Sequence, residues 1–332
     1  MNLTELKLSL AEDLTPALAY DPKKAFDVQQ REIREKLTEL LRMPKKLTAP
    51  TPIVEWEDNS NPQYDEIRFK FESEPGFFVP AHLILPKNRG ERTPAVICLQ
   101  GHTAGMHVSL ARTEIGSKET AEVKGDRDFA LQAISRGYAA VITEQRGFGE
   151  QVSDIPSNRM CNMPAMQALA VGRTLLGERV FDISRLIDAL SAFDCLDHSH
   201  LGIMGNSAGG TTSYYAACID ERITAVMPSC FFGEFKNSFL KYNHCVCGFI
   251  PDFLKWFDLP DIAILIAPRP LIIVSGQYDS IADIDSACRG FEDVVKPIYA
   301  AAGVPDACRH VIGSEGHRFY ADLSWPVFDE LF

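Results

Sequence analysis

The sequence is short of positive charge: 45 acidic side chains stand against 33 basic ones, for a formal net charge of −12, and no run of Lys and Arg is longer than two residues, as at Lys45-Lys46. Nucleic acids and anionic membrane surfaces bind through phosphate neutralisation by Lys and Arg, so neither is an expected partner. The chain also lacks a span for a bilayer. Its longest apolar stretch, Ile262 to Ser275, is too short and is interrupted by Pro268-Arg269-Pro270. The start, Met1-Asn2-Leu3-Thr4-Glu5-Leu6-Lys7, has no basic segment followed by an apolar one, and a cytoplasmic location is expected. There is no Gly-x-Gly-x-x-Gly, P-loop, His-Glu-x-x-His or EF-hand pattern, which removes the common nucleotide and metal signatures. Neither an internal repeat nor a low-complexity segment is visible, so solenoids and fibres drop out.

Cysteine is present but unorganised. The nine residues are odd in number and irregularly spaced, with no Cys-x-x-Cys pair. Cys98, Cys218 and Cys230 lie inside apolar runs, where cysteine acts as a small hydrophobe, and reduced thiols are expected. One segment, His244-Cys245-Val246-Cys247, has the look of a metal clip, but no second ligand pair lies near it in sequence. No cofactor and no metal are therefore assigned.

What is there is an ordinary globular composition: 332 residues, 46% hydrophobic and 23% charged. The length suits one α/β domain of about 250 residues with additions. Residues 1–46 are polar with apolar positions Ile33, Leu37, Leu40 and Leu41 at helical spacing, and read as an N-terminal helical arm available for self-association into a homo-oligomer. Residues 47–332 read as one catalytic domain. From Ile53 to Pro86 the period is two, as in Ile67-Arg68-Phe69-Lys70-Phe71, which predicts antiparallel strands. Beyond Pro94, short apolar runs (Ala95–Leu99, Tyr138–Thr143, Leu201–Met204, Ile223–Met227, Pro270–Val274 and Arg309–Ile312) alternate with helical stretches (Asp126–Arg136, Arg179–Leu196, Ala208–Cys218, Ile284–Ala302 and Trp325–Phe332). That alternation predicts a parallel sheet buried on both faces. The aromatic-rich stretch 231–258 fits neither pattern, and is either a pocket-shaping insertion or an irregular loop with one helix.

The sharpest local signal is Gly205-Asn206-Ser207-Ala208-Gly209, lying after an apolar strand and before a helix. A serine on such a turn is exposed at the end of a sheet, and a helix N-terminus beside it stabilises developing negative charge. Serine needs a base, and the base needs a carboxylate to orient it. Both candidates follow in chain order at strand ends: Asp279 after Leu271-Ile272-Ile273-Val274-Ser275-Gly276, and His317 after Val311-Ile312-Gly313. Asp283 and Asp285 compete with Asp279 but fall in the next helical pattern. His310 competes with His317 but lies at the start of its strand. Ser207, Asp279 and His317 are therefore assigned as a triad. The oxyanion donors are assigned to the backbone amides of Ala208 and of His102, the latter in the loop Gln100-Gly101-His102-Thr103-Ala104-Gly105. Thr103, Arg146, Asn206, Phe231, Phe232 and Trp256 are candidate pocket residues, although for Arg146 the reading as a structural pin of its glycine-rich turn is favoured. The loops 103–125, 150–176 and 231–258 are the expected pocket walls.

These motifs, with Gln100-Gly101-His102 and Arg146-Gly147-Phe148-Gly149 in register, resemble the dienelactone-hydrolase and acetyl xylan esterase-like branch of the α/β-hydrolases, from about residue 75 to the C-terminus. Many members of that branch carry His-Gly where Gln100-Gly101 stands. The resemblance implies an α/β-hydrolase fold with a mostly parallel sheet, antiparallel first strands and helices on both faces. It also implies hydrolysis of small carboxylic esters, including acetyl groups on sugars. A prolyl-oligopeptidase-type peptidase and a non-catalytic binding protein on the same fold are the alternatives.

Overall fold

The computed structural model describes residues 1–45, 47–155 and 161–332. Lys46, the expected end of the arm, and residues 156–160 of the expected 150–176 loop lie outside the described residues. Among the described residues, nine strands form one sheet: β1 (Ile53–Asp58), β2 (Tyr64–Glu74), β3 (Phe77–Pro86), β4 (Thr93–Leu99), β5 (Ala139–Thr143), β6 (Leu196–Asn206), β7 (Ala225–Ser229), β8 (Leu271–Gly276) and β9 (Cys308–Gly313). Their order is β1-β2-β3-β5-β4-β6-β7-β8-β9. β1, β2 and β3 are antiparallel, β3 meets β5 antiparallel, and every pairing from β5 through β9 is parallel.

The parallel strands read as continuous apolar runs because both of their faces are covered. Successive residues divide between two cores. Ala95, Ile97, Leu99, Ile203, Val226, Leu271 and Ile273 enter one; Val96, Cys98, Met204, Met227, Ile272 and Val274 enter the other. The first core is closed by α2 (Phe26–Leu41), α5 (Leu175–Leu190), α6 (Ala208–Ile219) and α8 (Lys296–Ala301). The second is closed by α3 (Phe129–Ser135) and α9 (Ala321–Leu331). The remaining helices are α1 (Leu3–Glu12), α4 (Asn162–Ala170) and α7 (Ile284–Gly290), which runs through a wide turn at Phe291–Val295 into α8.

Within the first 45 residues the two helices differ. α1 buries no side chain, whereas α2 sinks Ile33, Leu37, Leu40 and Leu41 into the first core. Its polar face is tied down as well: the Gln30 amide donates to the Ile264 and Ala267 carbonyls at 2.8 and 3.1 Å, and Arg34 to the Cys218 carbonyl at 2.8 Å.

Several element boundaries differ from the sequence reading, two of them beside the site. α4 occupies part of the stretch expected to be loop, and α5 begins at Leu175 rather than Arg179. Thr174 supplies the start signal, its hydroxyl accepting from the Gly177 amide at 3.0 Å and donating to the Leu41 carbonyl at 2.6 Å. The chain then enters β6 at Leu196, so α5 ends at Leu190. The stretch 231–258 holds one-turn helices at Val246–Gly248 and Phe253–Lys255 within an otherwise irregular path. Phe235, Phe239, Phe249, Phe253 and Phe257 pack ring on ring along it. Among the described residues, no helix is long and apolar enough to cross a membrane.

Candidate active site

Ser207 sits between β6 and α6 with φ 57° and ψ −119°, a strained conformation for a residue with a side chain. Its neighbours explain how the strain is held. The Ser207 amide donates to the Ser229 carbonyl at 2.8 Å, and its own carbonyl accepts from the Thr211 amide at 2.9 Å. A Cβ at Gly205 would collide with the Gly209 carbonyl, and one at Gly209 would lie 2.8 Å from the Gln100 carbonyl. The two motif glycines are therefore required by backbone contact. A Cβ at Gly101 would lie 2.7 Å from the Asn206 carbonyl and 3.1 Å from the Ser207 Cβ, so the loop after β4 presses directly on the turn that carries Ser207. His102 follows Gly101 in that loop. Ala208 opens α6, where the first backbone N–H groups have no carbonyl within the helix to satisfy them.

Asp279 and His317 come together as the sequence pairing expected. The Asp279 Oδ2 lies 2.8 Å from His317 Nδ1, while its Oδ1 accepts from the amides of Ile281 and Ala282 at 2.8 and 3.1 Å. Burial pushes the Asp279 carboxyl up, but the His317 contact and the two amides outweigh it and leave it below its ordinary value. The His317 loop is seated against the end of β8. The Tyr320 hydroxyl donates to the Gly316 carbonyl at 2.7 Å, and the Tyr278 amide donates to the Glu315 carbonyl at 2.8 Å. His317 and Ser207 line one cleft, together with Asn206, Gly101, His102 and Thr103.

The competing residues are occupied elsewhere. His310 Nε2 lies 2.9 Å from the Ser275 hydroxyl, and burial pulls its imidazole down to about 4. Asp283 caps α7, accepting from the Ser286 amide at 2.8 Å, and receives the Tyr242 hydroxyl at 3.0 Å.

Around Ser207 there are two unequal spaces. One is a narrow cavity of about 30 Å³ walled by His102, Leu176, Arg179, Phe231, Phe239 and Cys247, with Ser207 and Ala208 at its edge. The other is the outer cleft of about 450 Å³, which His317 shares with Lys124, Arg127 and Arg318. Arg318 is paired with Asp126 at 2.7 Å and Glu315 at 3.0 Å.

The other sequence candidates separate. Asn206 is buried, its Oδ1 accepting from the Ser229 hydroxyl at 2.9 Å. Phe231 reaches the narrow cavity, but Phe232 packs into the core against Tyr214 and Phe231. Trp256 lies on the arm side, with the Lys36 ammonium 4.0 Å over its ring and its carbonyl accepting from the Leu18 amide at 2.6 Å. Arg146 faces away from Ser207 into an acidic nest: Glu74 at 2.8 Å, Glu178 at 3.4 Å, and both oxygens of buried Asp182 at 2.8 Å. Gln100 donates to the Ser109 hydroxyl and the Arg127 carbonyl at 2.7 Å each, which braces the loop from behind.

Sequence reasoning missed two groups, Arg179, which lines the narrow cavity, and Cys161, which touches the His102 ring that lines it. Arg179 has no local signal, because α5 is buried on nearly every side. Cys161, at the N-terminal cap of α4, lies 3.2 Å from His102 Nε2 and 2.7 Å from the Cys245 sulfur. Burial pulls the His102 imidazole down, but the Cys245 and Cys247 sulfurs hold it up, at about 9.

A family model described as the abhydrolase family matches residues 5–310. The proposed hydrolase YtaP of Bacillus subtilis (strain 168) is 24% identical over 241 residues, which are 72% of this chain and 77% of that protein. Among solved structures, a proposed acetyl xylan esterase from Bacteroides fragilis NCTC 9343 matches with a TM-score of 0.84 at 19% identity, covering 100% of this chain and 95% of that one. A glucuronoyl esterase from Solibacter usitatus matches with a TM-score of 0.70 at 15% identity, covering 96% of each chain.

Proposed function

Because the chain belongs to the abhydrolase family, matched over residues 5–310, we propose that it is a serine esterase removing short acyl groups, acetyl foremost, from polar alcohols such as carbohydrates. The observation that carries the substrate reading is the asymmetry of space about Ser207. A cavity of about 30 Å³ beside Ala208 suits a short acyl end, whereas the 450 Å³ cleft on the His317 side suits a bulkier leaving group. Lys124, Arg127 and Asn206 on that side offer hydrogen bonds to hydroxyls. The two esterases whose folds this chain shares are named for carbohydrate esters, which supports the same class here.

In this mechanism Ser207 attacks the ester carbonyl and His317 takes its proton. Asp279, already charged, holds the imidazole in orientation and stabilises its protonated form. The tetrahedral oxyanion accepts from the amides of Ala208 and His102, the first at the start of α6 and the second in the loop pressed onto Ser207 by Gly101. His317 then protonates the departing alcohol, and a water activated by the same imidazole releases the acid. The strain at Ser207 keeps its hydroxyl above the sheet edge instead of folded back into α6.

The test compares p-nitrophenyl acetate, butyrate and octanoate, followed by acetylated xylo-oligosaccharides, for the wild type and Ser207→Ala. Acetate is expected to be the best of the aryl esters, and Ser207→Ala to lose about 10³–10⁶-fold in kcat/KM. Equal rates in the two proteins would remove Ser207 as nucleophile. A preference for octanoate would overturn the short-acyl reading, and faster cleavage of aminoacyl p-nitroanilides would replace the esterase by a peptidase.

A further inference from the structure

Four side chains from three distant parts of the chain converge behind Ser207. His102 comes from the loop after β4, Cys161 from the cap of α4, and Cys245 and Cys247 from the irregular stretch before β8. Their ligand atoms all lie within 4.8 Å of one another. All three cysteines are buried, and none is in a disulfide. His102 Nε2 lies 3.2 Å from the Cys161 sulfur and 3.6 Å from that of Cys247, and Cys161 and Cys245 are 2.7 Å apart. A tetrahedral zinc with bonds of about 2.3 Å to sulfur and 2.0 Å to nitrogen has edges of about 3.5–3.8 Å between ligands. The two contacts to His102 bracket the lower end of that range; the sulfur pair is tighter.

We propose that His102, Cys161, Cys245 and Cys247 hold one thiophilic divalent cation, zinc by their chemistry, in a closed four-ligand shell that forms the inner wall of the narrow cavity. Three thiolates and one imidazole are soft and borderline donors, the set that selects zinc over magnesium or calcium. The local charge agrees. Three thiolates around a divalent cation leave one net negative charge, and Arg179, 2% exposed, is buried beside them. That guanidinium is held in place by the Arg146 carbonyl at 2.7 and 3.0 Å and by the Phe148 ring at 4.3 Å. The backbone makes room as well: Gly147, at φ +88°, allows Cys161 to approach, since a Cβ there would lie 3.1 Å from the Cys161 Cβ. His244, next to the cysteine pair in sequence, takes no part; its Nε2 lies 3.0 Å from the Ile281 carbonyl and its ring stacks on Phe239 at 4.2 Å.

With all four positions supplied by protein, the shell leaves none for water, so the ion is structural. It clamps the His102 loop to the 245–247 stretch and so fixes the position of the His102 amide against Ser207. On binding, the ion displaces the protons that the imidazole and thiols carry. The site itself does not depend on the esterase reading.

The test is elemental analysis of untagged protein purified under reducing conditions without chelator, with one zinc per chain expected. Cobalt(II) exchanged into the site should show the thiolate charge-transfer and visible bands of a tetrahedral sulfur-ligated ion. Cys161→Ser and Cys247→Ser should lose the ion, whereas Cys288→Ser and Ser207→Ala should keep it; retention in Ser207→Ala separates this site from the catalytic reading. If the ligand variants fail to fold, alkylation of the wild type read by peptide mapping decides: Cys161, Cys245 and Cys247 should gain reactivity when zinc is stripped, whereas the other buried cysteines, Cys98, Cys218, Cys230 and Cys308, should not change. Reduced protein that takes up neither zinc nor cobalt overturns the proposal, as does a Cys161–Cys245 disulfide in its place.

Discussion

Two histidines line the cleft that holds Ser207, one on a carboxylate wall and one on a sulfur wall, and their neighbours give them opposite characters. His317 lies against a single carboxylate oxygen of Asp279 at Nδ1 and faces the open cleft. His102 has its Nε2 among the Cys161 and Cys247 sulfurs, and its ring meets Phe148 edge to face at 5.0 Å. In the proposed mechanism one wall holds an imidazole so that its other nitrogen can exchange a proton, and in the proposed metal site the other uses an imidazole to anchor a loop. On this reading the base is chosen by the partner behind each histidine, a hard carboxylate in one case and soft sulfurs in the other.

The sharpest way to break this comparison is to alter each wall conservatively. Asp279→Asn keeps the shape of the triad wall but favours the wrong tautomer of His317, and kcat on p-nitrophenyl acetate is expected to fall by about 10⁴-fold. His102→Gln removes the imidazole but keeps the backbone amide and a polar side chain of similar reach. Its loss should stay below the roughly 10²-fold that removal of an oxyanion donor costs. The reverse order of effects would move the base from His317 to His102.

The two walls were unequally legible in the sequence, for a physical reason. The nucleophile turn is encoded in five contiguous residues, because the glycines that permit the close backbone approach must flank the serine. Asp279 and His317 could be found because parallel strands deliver their following loops to one edge of the sheet. The sulfur wall has no such local code: Cys161 is 59 residues from His102 and 84 from Cys245. The one local hint, His244 beside Cys245, contains the wrong histidine. Aromatic type misled in a similar way. It announces burial but not which cavity is reached, so Phe231 lines the site while Phe232 and Trp256 pack elsewhere.

The His102 wall also carries a charge problem that the triad wall lacks. Glu144 is buried behind the 101–110 loop, accepting from the Met106 amide at 3.0 Å, and burial raises its carboxyl to about 7. A folded value above the unfolded one means stability that is present below about pH 4.5 and lost as pH rises through 7. Glu144→Gln keeps the acceptor for Met106 and removes the ionisation. It should therefore be more stable than the wild type above pH 7, by about 3 kcal/mol at the upper limit. Chemical denaturation at pH 5 and pH 8 checks this; an equal difference at both values would detach Glu144 from the pH dependence.

The smallest expected effect lies where the two walls are joined. The Tyr242 hydroxyl, from the 231–258 stretch, donates to Asp283, four residues after the triad acid, and Asp283 also caps α7. Asp283→Ala removes the cap and the Tyr242 contact together, for a loss of about 1–2 kcal/mol. Asp283→Asn keeps an acceptor at the cap and should lose less. Neither change touches the Asp279–His317 contact, so kcat on p-nitrophenyl acetate should stay within about tenfold of wild type while the denaturation midpoint falls. Had Asp283 been the triad acid, its Asn variant would show the loss of several powers of ten expected of Asp279→Asn, with little change in stability. Measuring both quantities on both variants therefore separates the residue that orients the base from the one that ties the walls together.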